Sequence, residues 1–302
     1  MPAPATDDRI KEANELYHDA AAREYDSKWG IDFGETGQAQ VGSKLEKALG
    51  GWPAKPFEHG LEIGAGTGYF TLNLLQTGAL EKATATDLSP GMLRTLESNA
   101  EQLGLEVETV QSEAEQLPFD DAAFDLVFGH AVLHHIPDLD RAIAEFFRVL
   151  QPGGVLMFCG EPSRYGDRLA WLPKHAALAA APLWRRALGA SAREPNPEQE
   201  SDGHELEGEV DVHAFSPGDL RDQASRAGFA AIHVSGEEML ANLHGWMMRT
   251  LEGSAEPDSV SWRWRNFAFR SYLALQKVDT RLLEPRLPPS LFYNLLVSAR
   301  KP

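Results

Sequence analysis

Three observations predict an α/β fold, a doubly wound and mostly parallel sheet with helices on both faces. From Phe57 onward, short apolar runs alternate with longer amphipathic stretches, the pattern of strand, helix, strand. A loop with Gly64, Gly66 and Gly68 joins the first run, which ends at Ile63, to an amphipathic stretch starting at Tyr69. The next apolar stretch ends in Asp87, about 20 residues beyond the glycines.

The elements follow in chain order. Residues 7–28 place Ile10, Leu16, Tyr17 and Tyr25 at near-helical spacing behind an acidic first turn, which reads as one or two helices. Gln38 to Leu49 reads as a further helix, ended by Gly50, Gly51 and Pro53. Strands are expected near 58–63, 82–87, 106–111, 123–129 and 153–160, with helices near 67–77, 90–103 and 138–149. Ser216 before Pro217 starts another helix, with Ser as N-cap and Pro in the first helical position, and Gly228 closes it. Strands near 229–235 and 291–299 complete a set of seven.

Two stretches stand outside the alternation, Glu161 to Ala214 and Glu237 to Pro289. They hold five of the seven tryptophans, Trp171, Trp184, Trp246, Trp262 and Trp264, and read as helical cap insertions over the C-terminal edge of the sheet, where open α/β folds bind ligands. Mutual packing of the insertions is the first expectation. An apolar acceptor pocket, and an exposed patch for a membrane or partner beside Arg249, Arg263, Arg265 and Arg270, are the alternatives.

Composition narrows the function classes. The chain has 302 residues, room for one large domain with insertions or a domain with a small cap. A net charge of −17 argues against nucleic acid, whose binding draws on Lys and Arg against phosphates. Eight acidic residues and no Lys or Arg fall between Glu194 and Asp211, which reads as a solvated loop. One cysteine, Cys159, excludes an internal disulfide, and the ten histidines show no metal-ligand spacing with carboxylates. No apolar run approaches the roughly 18 residues of a membrane span and Met1 to Ala22 has no signal-peptide core, so a cytoplasmic protein is expected.

The glycine loop carries the chemistry. Glycine there allows positive φ and lets a ligand approach the backbone, while the following helix offers free N–H groups. A dinucleotide fingerprint would place glycine at 64, 66 and 69, but position 69 is Tyr. Glu62, two residues before the first glycine, would repel a pyrophosphate and suits a ligand with an ammonium group. Asp87 falls where a βαβ unit brings a strand-end carboxylate onto a ribose diol, and Ser89 before Pro90 is the better helix cap.

EIGAGTG at 62–68 with Asp87, SEAEQLPF at 112–119, FDLVFGHAVLHHIPD at 124–138 and RVLQPGGVLMF at 148–158 closely resemble, in order and spacing, the class I S-adenosylmethionine-dependent methyltransferases, in particular their small-molecule branch. The resemblance implies a seven-stranded Rossmann-like sheet with a terminal antiparallel hairpin. It assigns Glu62 and the backbone of Gly64, Ala65, Gly66 and Gly68 to the methionine portion of S-adenosylmethionine, and Asp87 to its ribose. Leu88 and Met92 would flank the adenine, Glu113 would meet the adenine amine and Ala114 would contact the ring through its backbone. Glu113 stands where the family usually has Asp. Residues 1–52 are then an N-terminal helical segment over the cofactor, with Tyr17, Tyr25 and Trp29 either shielding it or anchoring a helix to the core. Residues 53–160, 215–236 and 290–302 form the core, and 161–214 with 237–289 the cap.

Methyl transfer from a sulfonium is an in-line displacement, so the protein must align the acceptor and deprotonate it if it is a hydroxyl. His130 reads either as cofactor-proximal or as a structural histidine. His134 and His135 are adjacent, so on a helical turn they point about 100° apart and one of them faces the pocket. His134 is taken as the general base, against a packing role for the pair, and Glu161 as an alternative base or acceptor clamp. The expected function is methylation of a small or medium organic acceptor, apolar or aromatic in character, at oxygen rather than nitrogen or carbon. A non-catalytic S-adenosylmethionine-binding protein and a membrane-associated lipid methyltransferase are the rivals. An oxidoreductase is disfavoured by Tyr69 and Glu62.

Overall fold

The computed structural model describes residues 6–21, 31–193 and 213–302. The expectations for Tyr25, Trp29 and the acidic stretch from Glu194 to Asp211 lie outside these residues. Seven strands form one sheet: β1 (Gly60–Ile63), β2 (Ala83–Asp87), β3 (Glu108–Gln111), β4 (Phe124–His130), β5 (Leu150–Pro162), β6 (Ala230–Glu237) and β7 (Asn294–Arg300). Their spatial order is β3-β2-β1-β4-β5-β7-β6. The first five run parallel, and β7 enters antiparallel between β5 and β6. The chain steps outward from β1 to β3 and returns to β4 on the other side of β1. That reversal opens a crevice beyond the C-terminal ends of β1 and β4.

Helices cover both faces because the strand residues are apolar on both. On one face α2 (Glu35–Leu49) and α3 (Tyr69–Gln76) pack Val41, Leu45, Phe70 and Leu74 against Leu126, Phe128 and Met157. On the other, α5 (Leu139–Val149) and α7 (Pro217–Arg226) set Phe146, Val149 and Leu220 against Val127, Leu156 and Phe158. Between them in sequence α4 (Pro90–Leu103) opens with Pro90 in its first turn and the Ser89 hydroxyl accepting the Met92 N–H at 3.1 Å. At α7 Ser216 and Asp219 form a reciprocal capping box. The first helix, α1 (Asp7–Ala21), lies beside α4.

Boundaries move from expectation by two or three residues. β5 begins at Leu150, ahead of Pro152, because Leu150 already pairs with Phe124. β3 begins at Glu108, the residue that pairs with Thr84 of β2.

Three further helices, α6 (Gly166–Leu188), α8 (Met239–Gly253) and α9 (Trp262–Val278), pack on one another through Ala177, Ala181, Met248 and Leu251. Trp184 and Trp264 meet edge-on at 5.2 Å within this cluster. Among the described residues no helix is long and apolar enough to cross a membrane.

Candidate functional site

The crevice is an open cavity of about 780 Å³, counting its solvent-filled mouth. Its floor is the loop after β1. Gly64, Gly66 and Gly68 all have positive φ, at 61°, 54° and 91°. A Cβ on Gly64 would come within 2.3 Å of Val132 Cγ2, whereas one on Gly66 would meet nothing within 4 Å. The loop therefore lies against the turn after β4 at one glycine and leaves open space at the next.

Asp87, at the end of β2, closes one end. Its Oδ2 accepts the Gly66 N–H at 2.8 Å and its Oδ1 the Ser89 N–H at 2.9 Å. Burial pushes its carboxyl above the usual range, opposed by these N–H groups and by His18 nearby. His130, at the end of β4, lines the other side, its ring stacked on Phe70 at 5.0 Å. Burial, with Lys44 nearby, pulls this imidazole down to about 4, so it is neutral near pH 7. Gly160 in β5 is shaped to the same ring: a Cβ there would lie 2.6 Å from His130 Nε2.

The third wall is α1. Lys11, Asn14 and His18, spaced by three and four residues, present one helical face to the cavity. Lys11 Nζ lies 2.6 Å from Glu113 Oε2 and 3.2 Å from Glu115 Oε1. Asp19 Oδ1 accepts the Gly91 N–H at 2.6 Å, tying the helix end to α4. Asn14 Oδ1 and Glu115 Oε1 are buried with no well-directed hydrogen bond.

Of the residues expected from sequence, Gly64, Gly66, Asp87, Leu88, Met92, Ala114 and His130 line the cavity together. Others sit elsewhere. Glu62 is buried beneath the loop, where its Oε2 accepts both the N–H and the hydroxyl of Thr71, and burial pushes its carboxyl up to about 8. In this position it ties the loop to α3 and does not line the cavity. Ala65 packs against Ala85 and Leu96, and a Cβ on Gly68 would strike Leu96. Glu113 is half exposed and engaged by Lys11, while Glu115 lines the wall. Tyr17 stands one ring removed: it meets His18 edge-on at 5.2 Å, and His18 is the lining residue.

The two residues named for catalysis meet. His134 and His135 occupy a short 3-10 turn, Leu133–His135, with ring centroids 3.9 Å apart. His135 lines the cavity, whereas His134 is buried with Nδ1 2.9 Å from Glu161 Oε2. Glu161, completely buried, also accepts the N–H groups of Val132, Leu133 and His134. These donors occupy both carboxylate oxygens. That gives Glu161 a holding role in place of the base or acceptor clamp expected for it.

Sequence reasoning missed Lys11, Asn14, His18 and Glu115, and of the adjacent pair it chose His134, whereas His135 is the one that lines the cavity. The signal at the N-terminus was a polar stripe at spacing three and four on the same helix whose Ile10 and Ala13 are buried, while Leu16 is exposed. A second polar group was also missed, because its members are far apart in sequence. Lys44 and Lys47 of α2 reach the buried Glu237 at 3.0 and 3.3 Å, and Glu237 Oε2 accepts the Gly160 N–H at 2.8 Å.

With this geometry in place, residues 61–158 match a family model described as a methyltransferase domain. The segment is a class I, S-adenosylmethionine-dependent methyltransferase domain. It is similar to the malonyl-[acyl-carrier protein] O-methyltransferase of Serratia marcescens, 38% identical over 138 residues, covering 44% of this chain and 50% of the relative. It is also similar to the ubiquinone/menaquinone biosynthesis C-methyltransferase UbiE of Psychromonas ingrahamii, 37% identical over 100 residues, covering 32% of this chain and 40% of the relative. The chain thus spans about half the length, 50% and 57%, of the first curated relatives it matches. Among solved structures, the fold is shared with Haemonchus contortus phosphoethanolamine N-methyltransferase 2 in complex with phosphomonomethylethanolamine and S-adenosylhomocysteine. That likeness has a TM-score of 0.61 at 16% identity and covers 100% of this chain and 61% of the other. The methyltransferase domain thus contains the glycine loop, Asp87, His130 and the 3-10 turn.

Proposed function

We propose that the chain methylates a small or medium organic acceptor at a hydroxyl oxygen, using S-adenosylmethionine. The observation that carries the reading is one cavity walled by a positive-φ glycine loop, with the Asp87 carboxylate at one end and the neutral His130 at the other. S-adenosylmethionine, when bound, supplies an electrophilic methyl group on a sulfonium. The chain's residues suit that cofactor. Asp87 is placed to accept from a ribose diol, and the orphaned Asn14 Oδ1 is an acceptor for an N–H donor of an adenine or an ammonium. Leu88, Met92 and Ile136 supply apolar walls. A neutral His130 adds no positive charge beside a cation.

For a hydroxyl acceptor, His134 is the general base, acting beside His135, whose ring lines the cavity 3.9 Å from its own. Glu161 Oε2 accepts from Nδ1, which fixes the tautomer and leaves Nε2 with the lone pair. Glu161 is therefore a positioning residue. Support for oxygen comes from the relative named as an O-methyltransferase, and Val132 and Pro137 in the cavity wall suit an apolar or aromatic acceptor.

Calorimetric titration with S-adenosylmethionine, S-adenosylhomocysteine and NAD tests the cofactor. Binding of the first two and not the third is expected, and NAD binding alone would overturn the reading. Mass-spectrometric detection of methyl transfer to phenols, alcohols and carboxylic acids then tests the acceptor. Transfer only to carbon or nitrogen acceptors would overturn the oxygen assignment.

A further inference from the structure

Away from the cavity, α6 is apolar on two sides. Ala170, Ala177 and Ala181 turn inward and are buried. On the opposite side Leu169, Leu172, Ala176, Ala179 and Leu183 recur at spacings of three and four residues, and all five are exposed. Leu172 is 67% and Leu183 73% exposed. A surface helix ordinarily carries one apolar stripe, toward the core. Among the described residues nothing covers the second stripe of α6.

Helix α9 exposes apolar side chains as well. Trp262 is 75% exposed, and Phe267 and Phe269 are exposed as well. Leu183 neighbours Trp184, and Trp262 lies two residues before Trp264. The contact between Trp184 and Trp264 joins the two helices, and each also carries a strongly exposed apolar side chain, Leu183 and Trp262. The charge here reverses that of the chain. Together α6 and α9 carry eight Lys or Arg residues and one acidic residue, in a chain of net charge −17.

We propose that the outer face of α6 and α9 docks on an anionic lipid bilayer. A bilayer accepts Leu, Trp and Phe projecting from convex helices without a matching groove, places Trp at the interface, and lets Arg and Lys reach the headgroups on apolar stems. A helix of 23 residues offers about 35 Å of such contact. A second copy of the chain fits less well, because a two-fold contact would set the same cations against one another. A folded protein partner would need a complementary concave surface matched to scattered side chains. The proposal does not rest on the methyl-transfer reading.

The test is flotation of the full chain with vesicles of phosphatidylcholine alone and of equal parts phosphatidylcholine and phosphatidylglycerol. The chain floats with the anionic vesicles and not with the neutral ones, and less so as salt is raised. Leu172→Ser, Leu183→Ser and Trp262→Ser combined abolish flotation, while an unchanged thermal melt shows that this variant is folded. Replacing Arg263 and Arg270 by Gln weakens binding by about fivefold per charge. Failure of the native chain to float, or equal flotation of the triple variant, would overturn the proposal. A dimer that the same three substitutions dissociate, without flotation of the native chain, would overturn it in favour of self-association.

Discussion

His134 Nδ1 lies 2.9 Å from Glu161 Oε2, and the same carboxylate accepts three successive backbone N–H groups from the turn that carries the histidine. One buried group thus fixes both the position of the turn and the orientation of the ring. His134→Gln is expected to leave cofactor affinity within about twofold and to lower turnover on a hydroxyl acceptor by about a hundredfold or more, the ordinary contribution of a general base. Steady-state kinetics paired with calorimetry checks this. Unaltered turnover would remove His134 as the base and direct attention to His135 at the cavity wall.

Glu161→Gln separates holding from charge. The amide keeps one acceptor oxygen and loses the other with the charge, so stability should fall by about 1–3 kcal/mol, read by urea unfolding. Turnover should fall as well, with a flattened pH profile, because the tautomer of His134 is no longer fixed. A variant with native turnover and pH profile but reduced stability would leave Glu161 a purely structural role.

Asp87→Asn tests the cofactor wall. The side chain keeps its shape and loses its charge, and S-adenosylmethionine binding is expected to weaken by about 1–3 kcal/mol, the range for a hydrogen bond to a charged group. Calorimetry on the folded variant measures it, and an unchanged affinity would detach Asp87 from the ribose.

The sheet was legible because each of its parts leaves a local mark. Gly64, Gly66 and Gly68 mark a positive-φ loop, Ser89 with Pro90 and Ser216 with Pro217 mark helix starts, and apolar runs mark buried parallel strands. The order of β7 and β6 has no local mark and came through family resemblance. Within the site, the strand-end residues Asp87 and His130 were legible for the same topological reason that places them at the crevice. Lys11 and Glu115, 104 positions apart in numbering, meet only through the packing of α1, and no periodicity announces that. Glu62 was misplaced because a strand alternates its side chains between faces. Its carboxyl group is turned to Thr71 of α3, and the positions beyond the strand end form the cavity wall.

Gly160→Ala should disturb His130 without touching a ligand. The residue has φ of 73°, and its Cβ would fall 2.6 Å from His130 Nε2. Backbone strain of about 1 kcal/mol or more adds to displacement of a ring packed on Phe70. A lower melting temperature with weaker cofactor binding is expected. If binding is unchanged, the ring has moved without consequence and His130 is not part of the cofactor wall.

The buried charges on α2 and β6 make stability depend on acid. Burial alone would raise Glu237, but Lys44 and Lys47 reverse this and hold its carboxyl at about 2, below its ordinary 4.5. A depressed carboxyl stabilises the fold fully above its unfolded value, and that contribution is lost as pH falls from 4.5 toward 2. The difference corresponds to about 3 kcal/mol. Glu62 acts in the opposite sense. Its carboxyl, raised by burial to about 8, stays protonated in the fold while the unfolded chain ionises, so stability declines as pH rises from 4.5 to 8. Urea unfolding across this range should therefore show a maximum between the two effects. Glu62→Gln should flatten the alkaline side, and Lys44→Met should remove much of the acid slope while costing about 3–5 kcal/mol at neutral pH, because Glu237 loses the nearer of its two lysines and keeps Lys47 and the Gly160 N–H. An acid slope that survives Lys44→Met would show that Glu237 is not held ionised by that lysine.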